Sequence, residues 1–312
     1  MLIHAPTPPA EPRAATPPVA LMGILNLTPD SFSDGGRFTG TGEAGGSGLD
    51  HVDVDAAVAA GLRLAREGAA WLDLGGESTR PGAARVPAQR QIRRVIPTLR
   101  ALRQALDADP EVRHVALSID TTRAAVAEAA VEAGAAMIND VSGGREEPEL
   151  LRVAADSGVA LTLMHMQGEP GTMQDAPTYG AEPGAVVGEV ADGLRARRAA
   201  ALEAGVAEAA ILLDPGIGFG KTLEHNLALL HALPALVGLG APVLLGVSRK
   251  SFIAGLFPDA PPPVGERLPG SLAAALFAAE AGVRILRVHD VAAHRQALRI
   301  AEAIRRGSAE GP

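Results

Sequence analysis

Eight short apolar runs in this 312-residue chain each end in side chains that can ionise or hydrogen-bond. In chain order the ends are Asn26; Asp73, with Glu77 just beyond; Asp120; Asn139 with Asp140; His165; Asp214; Ser248-Arg249-Lys250; and Arg287 with His289. A carboxylate buried behind an apolar run costs several kcal/mol unless something pairs with it. Asp120 closes Leu117-Ser118-Ile119 and Asp214 closes Ile211-Leu212-Leu213, so both call for a partner or a ligand. Arg287 and His289 are two apart on one strand and share a face. A guanidinium beside an imidazole suits an anionic group such as a phosphate. Other ends have blander readings. His165 alone suits a satisfied core histidine. Asp140 and Asp290 precede turns or helices, where they cap as readily as they catalyse. Asp73 can pair with Arg80 as scaffold.

Two loops carry both charge and glycine. The first is Thr28-Pro-Asp-Ser-Phe-Ser-Asp34-Gly-Gly and the second Glu77-Ser-Thr-Arg-Pro-Gly82. Such loops can close over a substrate, and their acidic and basic groups suit an anion with a metal. No HExxH or carboxylate cage is present. A hard cation held mainly by water and phosphate, such as Mg²⁺, needs only one or two protein oxygens, and Asn26 can supply one. The segment Asp214-Pro-Gly-Ile-Gly-Phe-Gly-Lys221-Thr222 resembles a phosphate loop but fails the pattern, because Pro215 stands where its first glycine belongs. Its glycines are expected to let backbone approach a flat ligand. Of the 28 cationic side chains only Lys221 and Lys250 are lysine. Chance explains so small a pair; the sharper reading is that one site needs a compact ammonium that arginine's planar fork cannot replace.

These residues need a frame. The runs predict strands at about 19–27, 71–76, 114–120, 137–140, 160–165, 211–216, 242–248 and 284–289. Helical spacing predicts helices at about 53–67, 88–106, 123–133, 148–157, 186–204, 222–236, 271–281 and 291–306, with a short one near 251–257. Eightfold β-α alternation of mostly apolar strands argues for a single (β/α)8 TIM barrel of the α/β class, with the site at the strands' C-terminal ends. An open doubly wound sheet would place a glycine-rich phosphate loop after the first strand; here that place holds Asn26-Leu-Thr-Pro-Asp30. Residues 1–18, with six prolines, read as a flexible tail, 19–307 as the barrel and 308–312 as a C-terminal tail. Residues 39–50 look like a loop insertion, and the proline-rich 258–268 like an external connector.

Composition removes several classes. A net charge of −8 argues against nucleic acid or anionic membranes as partners. Without cysteine there is no disulfide, thiolate metal site or cysteine nucleophile. No signal peptide is expected, and no apolar run reaches the ~18 residues of a membrane span. A cytoplasmic location is the resulting expectation.

Together these segments resemble dihydropteroate synthase, the folate-pathway family targeted by sulfonamides. The matching pieces are Met22-Gly-Ile-Leu-Asn-Leu-Thr-Pro-Asp-Ser-Phe-Ser-Asp-Gly-Gly36, Asp73-Leu-Gly-Gly-Glu-Ser-Thr-Arg-Pro-Gly82, Ser118-Ile-Asp-Thr121, Ile138-Asn-Asp-Val-Ser-Gly143, Met164-His-Met166 with Met173-Gln174, Asp214 to Lys221, Gly246-Val-Ser-Arg-Lys-Ser251 and Arg287-Val-His-Asp290. The family joins 7,8-dihydropterin-6-ylmethyl diphosphate to 4-aminobenzoate and releases pyrophosphate. The resemblance implies a pterin pocket of Asp120, Asn139, Asp214 and Lys250, a diphosphate site of Asn26, Arg287 and His289 with Mg²⁺, and an aminobenzoate site near Phe219, Lys250 and Ser251. It implies a closing lid that includes Asp34, Thr79 and Arg80, and a homodimer formed through outer helices. The implied mechanism is dissociative, with Asp120 stabilising a methylene cation delocalised into the ring. Lys250 suits ring O4 or N5; Lys221 has no such explanation. The chain departs from the pattern in the 39–50 insertion, the proline tail, and Thr121-Thr122-Arg123, where relatives often have lysine. Three rival readings are a non-catalytic pterin-binding paralogue, the pterin-binding barrel of corrinoid-dependent methyltransferases, and an unrelated barrel enzyme acting on a phosphorylated sugar, which gives no reason for Asp120, Asn139 and Asp214 together.

Overall fold

The structure is a computed structural model that describes residues 19–28, 52–78, 85–169, 171–182 and 184–308. The proline-rich tail, the 39–50 insertion and residues 309–312 fall outside these. Eight strands form one parallel sheet: β1 (Ala20–Asn26), β2 (Trp71–Gly75), β3 (Ala116–Asp120), β4 (Met137–Asp140), β5 (Ala160–Met164), β6 (Ile211–Asp214), β7 (Leu244–Gly246) and β8 (Ile285–Val288). Each pairs with its neighbour in sequence from β1 to β6, and β8 lies between β1 and β7. A parallel bridge from Leu213 to Val243 joins β6 to the start of β7 and closes the ring. This is the expected (β/α)8 barrel.

Among the described residues ten α-helices lie between and after the strands: α1 (Val54–Glu67), α2 (Ala88–Ala108), α3 (Ala124–Glu132), α4 (Glu149–Ser157), α5 (Ala185–Glu203), α6 (Leu223–His231), α7 (Leu233–Val237), α8 (Ser251–Gly255), α9 (Leu268–Glu280) and α10 (Val291–Arg306). Their ends follow local chemistry. Asp53 caps α1 by accepting from the Ala56 N–H at 2.9 Å, and Gly68 ends it in the left-handed region at φ 109°. The helix predicted over 222–236 is instead two, α6 and α7, broken at Ala232. Pro234 has no N–H to bond back into α6 and is tolerated only in a helix's first turn, so a new helix starts around it. The strand predicted over 242–248 keeps regular pairing only over Leu244–Gly246.

The strands are buried on both faces, but the faces differ in kind. Outward residues such as Leu72, Leu74, Leu117, Ile119, Leu163 and Leu245 pack against the helices in the main apolar core. Inward residues at the N-terminal end form a separate apolar plug of Met22, Met137, Leu212, Leu244 and Ile285, backed by Trp71. Side chains alternate along a strand. Two residues above this plug, on the same inward face, stand Ile24, Asp73, Asn139, Asp214, Gly246 and Arg287. The plug thus sets a floor, and the next inward layer is mostly polar. Parity also removes two strand-end candidates from that layer: Asp140 follows inward Asn139, and His165 follows inward Met164.

Candidate active site

Above the plug lies a cavity of about 560 Å³ at the strands' C-terminal ends. On the β2–β3–β4–β8 side its wall is an ionic lattice. Asp73, fully buried, accepts through Oδ1 from the Ser118 hydroxyl at 2.6 Å. Its Oδ2 accepts from Asn139 Nδ2 at 3.0 Å and from Arg287 Nε at 2.6 Å. Arg287 also donates through Nη2 to Asp120 Oδ2 at 2.9 Å. Burial works against the Arg287 cation, but the Asp73 and Asp120 carboxylates outweigh it and hold the guanidinium above its ordinary pKa. Asp120 moves upward: burial raises its carboxyl, Arg287 pulls back, and the carboxylates of Asp73, Asp140 and Glu77 push it further up.

The β6–β7 side is built differently. Asp214 Oδ1 accepts from the Gly216 N–H at 2.7 Å, and burial lifts its pKa against the pull of Lys250. The Lys250 ammonium donates to the Ile217 carbonyl and sits 4.5 Å from the centre of the Phe219 ring, a cation–π contact. Burial lowers its pKa to about 8, with Asp214 opposing and Arg287 assisting the shift. Val141, Met164, Met166 and Met173 pack with Phe219 into a soft apolar wall. Gln174 Nε2 donates to the Gly218 carbonyl at 2.5 Å and tethers that wall to the glycine loop.

At the rim, Ser248 and His289 form a unit. Ser248 Oγ accepts the His289 main-chain N–H at 3.3 Å and lies 3.0 Å from Nδ1. If the hydroxyl proton goes to Nδ1, Nε2 is the ring donor. Arg249 adopts φ 58°, the one non-glycine residue at positive φ among those described. Three contacts hold it there: the Asp290 carboxylate, at 3.0 Å from Nε and 2.6 Å from Nη2, the Ser271 hydroxyl at 2.8 Å from its N–H, and Arg267 on its carbonyl at 3.1 Å. Such strain survives only when the surroundings over-determine it; here it turns the chain so that Lys250 enters the cavity.

Residues 22–289 match the pterin binding enzyme family. The chain is 44% identical over 284 residues to the dihydropteroate synthase of Synechocystis, covering 91% of this chain and 89% of that one. It is 43% identical to that of Mycobacterium leprae, covering 91% and 92%. The chain belongs to the dihydropteroate synthases. Solved structures agree. A Yersinia pestis dihydropteroate synthase in a sulfonamide drug complex superposes with a TM-score of 0.81 at 40% identity, covering 94% of this chain and 96% of that one. A Xanthomonas albilineans dihydropteroate synthase with 4-aminobenzoic acid gives 0.78 at 46% identity, covering 93% and 94%. The Xanthomonas albilineans enzyme in complex with 7,8-dihydropteroate gives 0.75 at 42%, covering 94% and 95%.

Of the residues that the dihydropteroate synthase resemblance singled out, Asn26, Asp120, Asn139, Asp214, Phe219, Lys250, Ser251, Arg287 and His289 all line this one cavity. Asp34, Thr79 and Arg80, the expected lid residues, lie outside the described residues. Several local readings change. Asp73 is tied to Arg287, Asn139 and Ser118, which makes it the hub of the acidic wall. Its parity with Asn139 and Arg287 on inward faces was the available signal. Asp290 makes no side-chain cap bond to α10 and instead anchors Arg249. Asp140 closes the turn after β4, accepting from the N–H groups of Ser142 at 2.7 Å and Gly144 at 2.6 Å.

Two glycines of the loop after β6 are required by the protein's own backbone, while Gly218 between them lines the cavity. A Cβ on Gly216 would lie 2.0 Å from the His165 carbonyl oxygen, and one on Gly220 2.3 Å from that of Gln167. The loop after β6 is thus pressed against the loop after β5. Lys221 bolts the two together. The residue is 3% exposed, and its ammonium donates to the carbonyls of His165 at 3.2 Å and Phe219 at 3.0 Å and sits 3.2 Å from His165 Nδ1. Burial lowers its pKa to about 7, with Asp214 opposing. His165 is the core histidine of the bland reading: burial, then the cations of Lys221, Arg197 and Arg145, push it down to about 3, so it is a neutral acceptor.

Proposed function

We propose that this chain condenses 7,8-dihydropterin-6-ylmethyl diphosphate with 4-aminobenzoate to give 7,8-dihydropteroate and pyrophosphate in folate biosynthesis. The observation that carries the reading is convergence. Two carboxylates, an amide, an ammonium and an Arg–His pair, drawn from strands or loops across the barrel, line one cavity. A pterin edge with donors and acceptors side by side meets Asp214 and Asn139, and Lys250 reaches ring O4 or N5. Charge-assisted bonds of this kind are worth ~1.5–3 kcal/mol each. Arg287 and His289 receive the diphosphate at the rim. Phe219, Lys250 and Ser251 border the aminobenzoate, and a sulfonamide competes there.

Among the described residues no three histidine or acidic side chains group as a metal cage. The donor set instead suits a hard ion held mainly by water and phosphate. Asn26 turns a carboxamide into the cavity, and a Cβ on Gly75 would lie 3.7 Å from Asn26 Oδ1 and 3.8 Å from Asp120 Oδ2. Asn26 is therefore the residue to hold Mg²⁺, which when bound neutralises charge on the departing pyrophosphate. The bond to the methylene breaks first. Positive charge spreads into the ring, and Asp120, fixed in a water-poor wall by Arg287, stabilises it without reorganising. The weakly basic aromatic amine then attacks, so orientation matters more than a general base. The lid that includes Asp34, Thr79 and Arg80 excludes water from the cation.

Two features outside the site belong to the same reading. Ile300 and Ile304, four apart on one face of α10, are 53% and 75% exposed, and Phe277 on adjacent α9 is 49% exposed. Such a patch suits burial in a homodimer. Among the described residues no helix is long and apolar enough to cross a membrane, in keeping with a cytoplasmic enzyme. The deciding assay is pyrophosphate release with Mg²⁺, with and without 4-aminobenzoate. Aminobenzoate-dependent release with dihydropteroate as product is expected. Tight pterin binding without turnover would mark a non-catalytic paralogue instead.

A further inference from the structure

An asparagine on a cavity wall can offer a ring either an acceptor or a donor, and nothing in Asn139 itself decides which. The residue behind it does. We infer that Asp73 is a positioning residue that locks Asn139 as a hydrogen-bond acceptor and so sets the site's preference for a ring edge carrying a 2-amino group. The inference rests on the proposed pterin site and deepens it. Asp73 Oδ2 lies 3.0 Å from Asn139 Nδ2 and 2.6 Å from Arg287 Nε. A carboxylate paired with a guanidinium is ionised and can only accept. If the carboxamide turned over, Asn139 Oδ1 would face Asp73 Oδ2 at that same separation, two acceptors in a fully buried place where neither finds water. The amide must therefore give one N–H of Nδ2 to Asp73, which leaves Oδ1 and the second N–H for the cavity that Asn139 lines. Ser118 on Asp73 Oδ1 at 2.6 Å completes the clamp, so the carboxylate cannot rotate away. Asp214, the other partner of that ring edge, is an acceptor wherever it is ionised. Where both oxygens face the 2-position they favour a donor there and oppose an oxygen, and the second Nδ2 hydrogen of Asn139 is left for a neighbouring ring acceptor.

The test uses two probes without diphosphate, so that loss of Arg287 alignment does not enter. One is 6-hydroxymethylpterin; the other is its 2-oxo counterpart, with an oxygen acceptor in place of the amino donor. Binding of both is measured by calorimetry to the wild-type protein, Asp73→Asn and Ser118→Ala. The wild type should prefer the amino ring. In Asp73→Asn the neighbour is no longer acceptor-only and can meet Asn139 with either an oxygen or an NH₂, so both orientations of the Asn139 amide open, and the preference should shrink about tenfold, the worth of roughly one hydrogen bond. Ser118→Ala keeps the Asp73–Asn139 bond and should keep most of the preference. A ratio unchanged in Asp73→Asn, with both rings weakened alike, makes Asp73 merely structural and overturns the inference. If Asp73→Asn does not fold, Asn139→Leu decides: it should weaken the amino ring more than the oxo ring, and equal weakening overturns the inference. A wild type that binds neither ring overturns the pterin reading and the inference with it.

Discussion

The two walls of the cavity solve the problem of buried charge in opposite ways. On the β2–β3–β4–β8 wall, Asp73, Asp120 and Arg287 satisfy one another directly, at 2.6 and 2.9 Å. On the β5–β6–β7 wall, Lys250 and Lys221 donate to main-chain carbonyls and feel Asp214 only through space, and their pKa values fall to about 8 and about 7. The first wall is a fixed electrostatic frame whose geometry is the function. The second is an apolar cradle whose charges are close to leaving. Chemistry that makes a transient cation beside a departing pyrophosphate has a use for both: a carboxylate that stays in place, and an ammonium near the ring that can share or lose its proton.

The contrast breaks most sharply at Asp120. Asp120→Asn keeps shape and removes the charge that faces the cation, so kcat should fall by about a hundredfold or more while pterin affinity stays near wild type. Equal losses in turnover and binding would refute the electrostatic role. The next largest effect is at Lys250. Lys250→Arg keeps the charge but cannot sit between the Ile217 carbonyl and the Phe219 ring, and kcat/KM should drop at least about tenfold. Wild-type kinetics there would show that the cradle does not discriminate shape.

A pH profile sharpens the same contrast. Asp120 is held above the ordinary carboxylate range, so activity should be lost on the acid side as it takes up a proton, at a higher pH than a free aspartate would dictate. Lys250 releases its proton near 8, so activity should also fall on the alkaline side of that value. In Lys250→Arg the residual activity should keep its acid limb and lose the alkaline one, because the guanidinium does not titrate there. An alkaline limb that survives in the variant belongs to another group.

Much of this was legible in the order of residues, and the illegible part has a common cause. Eight apolar runs separated by helical spacing determine the barrel. Asp120 and Asp214 announce themselves because nothing local can pair with them. Asp73 has a partner that no local pattern shows, since Arg287 lies 214 residues away; only closure of the ring sets β8 beside β1, one strand from β2, while Arg80, the partner close in sequence, lies outside the described residues. The glycines after Asp214 signal that something approaches closely, but not that it is the His165 and Gln167 backbone. Lys221 is unreadable for the same reason, because its acceptors include a carbonyl on a different strand's loop. The break before Pro234 was readable from the proline alone, and the apolar spacing on either side hides it.

The smallest expected effect tests the cradle without touching the substrate. In the unfolded chain Lys221 holds its proton up to its ordinary value of 10.5; folded, it gives the proton up near 7. Between those values the unfolded state binds more protons, so stability climbs as pH rises through this window. Below it both states are protonated, and the fold carries the whole cost of a buried ammonium. Lys221→Met removes that cost and leaves the His165 and Phe219 carbonyls without their donor. Melting temperatures of wild type and variant, compared at about pH 6 and about pH 9, should therefore shift in favour of the wild type at the higher pH, by a few degrees. A gap that ignores pH would mean that Lys221 keeps its proton throughout. The second wall would then hold its cations as firmly as the first holds its carboxylates, and the contrast between them would be one of partners alone.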